Sequence, residues 1–532
     1  MTLHRSRGPR SSRRRRAAAA AAAGALLLPL AACAEDATEK DAPEPAPRAF
    51  RTVDMTAPPL PVTDGPAATA DDSDHLYVLA PKKEAEPHLG GLIVDATGEP
   101  VWIDPAERPT YDFRVQEYRG EPVLTYYAGD SDFVGHGTGD IHVLDTAYDE
   151  IATVTTGGDL EPHRADLHDS TITPEGTMLL LSYPVVQHDL TAVGGDADGY
   201  VFDGVVQEVD IATGRVVHTW SALDHVDLAD TYGTLEPADG EGDGESSAET
   251  SDGEGSAETG DGQDEAPAGT KENPFDFFHV NSATLTPDGD LLISSRQHHA
   301  LYVVDRSSGE VRWTLGGKAS DFTMEGSGDD DEPGTGAQFA WQHDAQWHDD
   351  GTVTVFDNQG DPPVGTHSRG LRLDVDTEAM TASVVQEWLP SDPDRLAGSQ
   401  GNLQVLDNGN VVVGWGDARW TSEYTGDGEL VREFPLLGGE TYRAYRFDWH
   451  ATPSDPPAVV VDGDTAYVSW NGATDVASWR LVAGTDAGSA KEVATVPRSG
   501  FETAVSPVPE DAGYVLEALD ADGTVLGTGT PE

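Results

Sequence analysis

The chain contains one cysteine, Cys33, so no disulfide can form within it. Basic residues are scarce: 32 Lys and Arg stand against 95 Asp and Glu, a formal net charge of −63. Such a surface repels phosphate backbones, which speaks against nucleic acid as a partner. It favours solubility and says little about fold. Beyond the N-terminus no apolar run is long enough to span a bilayer. No segment of useful length repeats its apolar residues at the helical period. What remains is a β-rich chain of 532 residues, room for several domains or for one repeat domain with an attachment.

The first 33 residues read as an address. RSRGPRSSRRRR is a basic opening, and AAAAAAAGALLLPL is an apolar stretch of signal-peptide length. LAAC (Leu30 to Cys33) has the form of a bacterial lipobox, with Cys33 the lipidated residue. The alternative is a plain signal peptide with a chance cysteine. The adjacent arginines would suit twin-arginine export, but the rest of that motif is missing. The expectation is an extracytoplasmic protein on the outer face of the cell membrane, touching it only through the lipid on Cys33. Residues 34–74, rich in Pro, Ala and acid, read as a tether and N-terminal extension. Residues 236–274 hold almost no large apolar side chain and read as a disordered acidic insertion, a solvated loop rather than a cation-binding arm.

The rest repeats. YRGEPVLTYY, TPEGTMLLLS, TPDGDLLISS, HDDGTVTVFD and LDNGNVVVGW each place a glycine turn before a β-favouring run. Their glycines are Gly120, Gly176, Gly289, Gly351 and Gly409. A second set of turns (DATGEPVWID, DIATGRVVHTW, DRSSGEVRWTLGG, YTGDGELVREF) reads as hairpins trailing the first. With the segment from His75 to Asp104 this makes about six units. The fold expectation is all-β: a β-propeller over 75–450, then a small Ig- or fibronectin-like β-sandwich over 451–532, where alternation continues without the repeat. A two-sheet sandwich throughout is the simpler alternative, and five such repeats argue against it.

One stretch concentrates chemistry. DFFHVNS (Asp276 to Ser282) leaves the acidic insertion and at once offers His279 and Asn281, two apart and so on one face of a strand. The following hairpin returns Arg296 beside them. His168 and His343 stand eight residues before Gly176 and Gly351, and His279 ten before Gly289. Matching repeat positions would aim all three imidazoles at one axial pocket. Three histidines suggest a metal, but a fixed guanidinium beside a divalent cation is unfavourable. Imidazole, amide and guanidinium together suit a tetrahedral oxyanion. No metal or cofactor is therefore expected.

DFFHVNSATLTPDGDLLISSRQHHALYVVDRSSGEVRWTLGGKASDFT, QFAWQHDAQWHDDGTVTVFDN and GSQGNLQVLDNGNVVVGWGDARWTSEYTGDGELVREF resemble the bacterial arylsulfotransferase family, over most of residues 75–440. The H-x-N, S-S-R and Q-H-D motifs carry the resemblance. It implies a six-bladed propeller. It also implies transfer of a sulfuryl group from a phenolic sulfate donor to a phenol acceptor, without a nucleotide donor, through a transiently sulfated histidine. The matching nucleophile is His343. His279, Asn281 and Arg296 match the oxygen-binding residues, and His168 the remaining channel histidine, with His163 its rival. His168 is the first candidate for the proton donor to the leaving phenolate. A binding-only surface lipoprotein and a metal-dependent hydrolase are the alternatives. Oligomeric state is not set by the sequence.

Overall fold

A computed structural model describes residues 46–69, 75–82, 88–133, 135–160, 164–235, 266–326, 335–437, 439–484, 491–509 and 513–531. The leader, Cys33, His163 and most of the acidic insertion (236–265) lie outside them. Among the described residues the regular structure is strands and short 3-10 turns, so the protein is all-β.

Six sheets of four or five strands follow one another. The first unites distant parts of the chain: Tyr445–Phe447 pairs with Leu76–Leu79, followed by Leu92–Val94 and Pro100–Ile103. The second is Tyr111–Tyr118, Glu121–Phe133, His136–Leu144 and Glu150–Val154. The third is Ser170–Ile172, Thr177–Ser182, Val205–Asp210 and Val216–Ser221. The fourth is Val280–Leu285, Leu291–Ser295, Ala300–Val304 and Val311–Gly316. The fifth is His343–Trp347, Thr352–Asp357, Arg369–Asp376 and Thr381–Trp388, edged by Thr323–Met324. The sixth is Asn402–Val405, Val411–Gly414, Trp420–Tyr424 and Leu430–Pro435, edged by Thr63–Asp64.

The repeated glycines explain the hairpins. Gly120, Gly176, Gly289, Gly351 and Gly409 all have φ between +80° and +85°. At four of them (not Gly176) a Cβ would meet nothing within 4 Å. Glycine is there for its left-handed backbone, not for lack of room.

Alternation along the strands buries apolar faces between neighbouring sheets. Phe113 and Leu124 pack on Val78 and Ile93 between the second and first sheets. Met178 and Leu180 pack on Val123 and Ile141 between the third and second. Corresponding clusters join the third to the fourth, the fourth to the fifth and the fifth to the sixth. Val412 and Phe434 of the sixth sheet pack on Tyr77 and Leu92 of the first. The succession of contacts thus returns to its start.

Beyond the sixth sheet, two further sheets share one apolar cluster. Ala458–Asp462, Thr465–Ser469 and Glu502–Val505 form one; Lys491–Pro497, Ser478–Ala483, Tyr514–Leu519 and Val525–Gly529 form the other. Val468, Trp479, Leu481 and Leu516 lie between them. This region meets the first sheet through Asn471, which accepts from the Ile103 N–H (2.9 Å) and donates to its carbonyl (2.8 Å). Part of the stretch expected to be tether is packed: Phe50 lies 4.4 Å from Phe501, and the Thr52 hydroxyl donates to Glu502 (2.9 Å).

Where the first strands converge, charge replaces apolar packing. Arg443 Nη1 donates to Asp112 (3.0 Å), Asp169 (2.9 Å) and Tyr445 (3.3 Å), and Nη2 donates to the Asn281 carbonyl (3.1 Å). Asp169 also accepts from Arg114 (2.9 Å) and the Ala283 N–H (2.9 Å). Asp344, 3.8 Å from Arg443, accepts from the Leu403 N–H (3.0 Å). Burial works against the Asp169 carboxylate, but the two guanidiniums hold its pKa below the ordinary value. For Asp112 burial prevails over them and lifts the pKa to about 6. Arg443→Met would strand buried carboxylates, and a loss of about 3–5 kcal/mol is expected in denaturant unfolding. A loss within experimental error would mean that this cluster does not hold the sheets together.

Candidate active site

His168, His279 and His343 stand at the entry to the first strands of the third, fourth and fifth sheets. With Arg296 they line one cavity of about 570 Å³. Tyr111, Phe202, Leu167 and Tyr442 supply its apolar wall. Thr234, just before the acidic insertion, and Ala268, near its end, also line it.

His343 is buried. Its Nδ1–H donates to Asn358 Oδ1 (2.8 Å), with the Trp341 carbonyl at 3.1 Å. That choice of tautomer leaves Nε2 with a lone pair, towards which the Gln400 N–H points (3.3 Å). Burial first, then the charge of Arg296, pushes the His343 pKa well below the ordinary histidine value. The imidazole is neutral at neutral pH, as a nitrogen nucleophile must be.

His168 and His279 face each other differently. His168 Nδ1 donates to Asp166 Oδ1 (2.5 Å), and His279 Nδ1 donates to Asp276 Oδ2. Their Nε2 atoms are 3.2 Å apart. With both Nδ1 protons committed to carboxylates, two Nε2 lone pairs would collide. The contact therefore needs one proton between them. Burial outweighs Asp276 and lowers the His279 pKa to about 4.

His136 completes the group. Its Nε2 lies 3.1 Å from Asp276, and its ring packs on Tyr183 (4.0 Å) and His279 (5.0 Å). Burial opposes its protonation, but Asp276 and Asp166 prevail and raise its pKa. Asp276 in turn stays ionised despite burial, because His279 and His136 pull its pKa well below the usual carboxylate range.

Arg296 is held over the Trp341 ring at 4.8 Å and donates to the Gly398 (3.1 Å) and Asp361 (3.3 Å) carbonyls. Neither partner is a carboxylate, so its charge is free to meet an anion.

Asn281 departs from expectation. It does not line the cavity with His279. A bulge between Val280 and Ser282, and a left-handed His279 (φ 48°), break the simple two-residue alternation. Asn281 Nδ2 instead donates to the Gln342 carbonyl (2.6 Å), beside His343.

Beyond the expected residues, the site holds Asp166, Asp276, His136, Asn358 and Gln400. Asp166 and Asp276 were visible as D-x-H and D-x-x-H beside the chosen histidines. His136 belongs to the third strand of its sheet and has no counterpart in the repeat. His136, Asp166 and His168, or His136, Asp276 and His279, have ligand atoms near enough to hold a metal. In each group one imidazole nitrogen is already bonded to a carboxylate, and Arg296 shares the cavity, which favours an anion.

The arylsulfotransferase (ASST) family model matches residues 114–435. No curated protein matches the chain. Among solved structures, TolB from Acinetobacter baumannii is similar at 12% identity and TM-score 0.37, covering 72% of this chain and 68% of that one. A putative 6-phosphogluconolactonase from Bacteroides uniformis is similar at 11% identity and TM-score 0.36, covering 71% and 100%. A catalytically inactive virginiamycin B lyase from Staphylococcus aureus with quinupristin is similar at 10% identity and TM-score 0.28, covering 72% and 87%.

The buried histidines also make stability depend on pH. Below about pH 6.5 the unfolded chain takes up protons that neutral His343 refuses. Folding stability should therefore fall as pH drops below that point, by up to about 1.4 kcal/mol per unit for each such group. Denaturant unfolding of the wild type between pH 7 and pH 5 is expected to lose more stability than that of His343→Gln. Equal losses would contradict a neutral buried His343.

Proposed function

The chain belongs to the arylsulfotransferase family, and from that premise we propose that it moves a sulfuryl group from a phenolic sulfate ester to a phenol through sulfated His343. The observation that carries this reading is the neutral His343, with Nδ1–H anchored on Asn358 and the Nε2 lone pair facing the Gln400 N–H, in one cavity with a guanidinium and an imidazole pair that shares a proton. Six sheets whose contacts return to the first support a six-bladed propeller. The two sheets beyond them support a small sandwich.

In the first half-reaction His343 Nε2 attacks sulfur. The N–S bond forms as the S–O bond to the aryl group breaks. The leaving phenolate takes the proton held between His168 and His279. The sulfated ring keeps its Nδ1–H, so Asn358 Oδ1 meets the positive charge that develops there. Arg296 stabilises the sulfuryl oxygens. Asn281 acts behind them, by holding the segment that carries His343. In the second half-reaction a phenol returns its proton to the pair, its oxygen takes the sulfur, and the N–S bond breaks. The kinetics are ping-pong. Tyr111, Phe202 and Tyr442 offer the faces against which an aryl ring packs.

No described helix is long and apolar enough to cross a membrane. The leader and Cys33 support export and a lipid anchor outside the cytoplasm.

Release of p-nitrophenol from p-nitrophenyl sulfate is expected to rise when a second phenol is added. Arg296→Ala should lower kcat by about 10²–10³, the scale of a lost oxyanion donor. Release indifferent to phenol would indicate hydrolysis. No release, with tight binding of the ester, would indicate a binding protein.

A further inference from the structure

Among the described residues Arg296 has no ion pair to fix it, yet an oxyanion site must hold its donors within a fraction of an ångström. The cation sits instead over Trp341, 4.8 Å from the ring. Trp341 stands two residues before the nucleophile, and its carbonyl lies 3.1 Å from His343 Nδ1. One residue therefore touches both ends of the sulfuryl site, the guanidinium with its side chain and the imidazole with its backbone.

Trp341 is itself immobilised. Its indole N–H donates to the Pro362 carbonyl (3.0 Å). The His299 ring meets it edge to face at 4.2 Å, and that ring stacks on Tyr232 at 4.1 Å and 7°. Burial, with Arg296, His298 and Lys318 nearby, pushes the His299 pKa to about 3, so the support behind the indole is uncharged and does not repel Arg296. On either side the chain is fastened. The Ala340 N–H donates to Asp357 (2.9 Å), and the Gln342 amide donates to Ser294 (3.0 Å) and to the carbonyls of Ser295 (2.9 Å) and Ala300 (3.2 Å). Trp341 has a left-handed backbone (φ 57°), a conformation that a side chain with a Cβ adopts only when its surroundings enforce it.

We propose that Trp341 is the positioning residue that sets the separation of Arg296 from His343, and so fixes where the sulfuryl oxygens lie relative to the attacking nitrogen. This rests on the sulfotransfer reading of the cavity. Trp341 touches no reacting atom and acts through Arg296. A flat aromatic face is required, and the indole N–H only refines its angle.

The test is a double-mutant cycle on the full chain, with inorganic sulfate as the probe and affinity read by calorimetry. Trp341→Leu should weaken sulfate binding about tenfold, the scale of a desolvated cation–π contact. Arg296→Gln should weaken it at least as much, and the double variant no further than Arg296→Gln alone. Trp341→Phe, which keeps a ring face, should restore most of the affinity. In turnover of p-nitrophenyl sulfate, Trp341→Leu should lower kcat more than it raises KM. Independent, additive losses would overturn the proposal, as would wild-type affinity in Trp341→Leu. Turnover by the wild type without this coupling would leave the reaction standing and remove the role from Trp341. A wild type that neither binds sulfate nor turns over the ester would remove both.

Discussion

The contact on which the rest of this structure depends is a buried guanidinium. Arg443 holds Asp112 and Asp169 by hydrogen bonds, reaches the carbonyl of Asn281 and lies within ion-pair distance of Asp344. Those four residues belong to the entry strands of the second, third, fourth and fifth sheets or lie just before them, and Arg443 itself precedes a strand of the first. Asp344 adds the sixth through Leu403. Apolar packing joins each sheet to the next but does not choose which first-strand residues meet at the centre. Directional hydrogen bonds do. A purely apolar plug could be equally stable, but would not fix the register of six strands so tightly.

That register is what builds the cavity. Asn281 is pulled on one side by Arg443 and grips the Gln342 carbonyl on the other. His343 follows directly, and Asp344 after it returns to the cluster. His343 thus hangs from the charged centre by its own backbone. Around it, protons are placed by carboxylates. Asp166 and Asp276 each fix one imidazole tautomer, and their charges offset the protons shared by the histidines. A protein of net charge −63 can in this way keep a local pocket fit for an anion.

Much of this was legible in the sequence, and the missing part has a physical reason. The glycine turns announced the hairpins because a left-handed residue closes them, and the equal offsets of His168 and His343 from their glycines reflected places at the entry to the first strands of their sheets. Periodicity failed at Asn281, because a bulge and a left-handed His279 cannot be read from alternation. It failed for His136 because a residue used once has no repeat to betray it. Arg443 and Asp112 lie 331 positions apart in the chain, and no local pattern points from one to the other. The packed stretch from Arg48 looked like tether because it is rich in Pro and Ala, yet Phe50, Met55, Ala57 and Leu60 join an apolar cluster with Tyr77 and Phe434, and Thr52 bonds to Glu502.

The central claim is that neutral, buried His343 accepts the sulfuryl group on Nε2. The most direct measurement is mass spectrometry of peptides from protein mixed with p-nitrophenyl sulfate and quenched in base before a phenol is supplied. The account predicts one added sulfuryl group on the peptide carrying His343, lost when phenol is added before the quench. An unmodified His343 peptide from protein that is turning over the ester would contradict it.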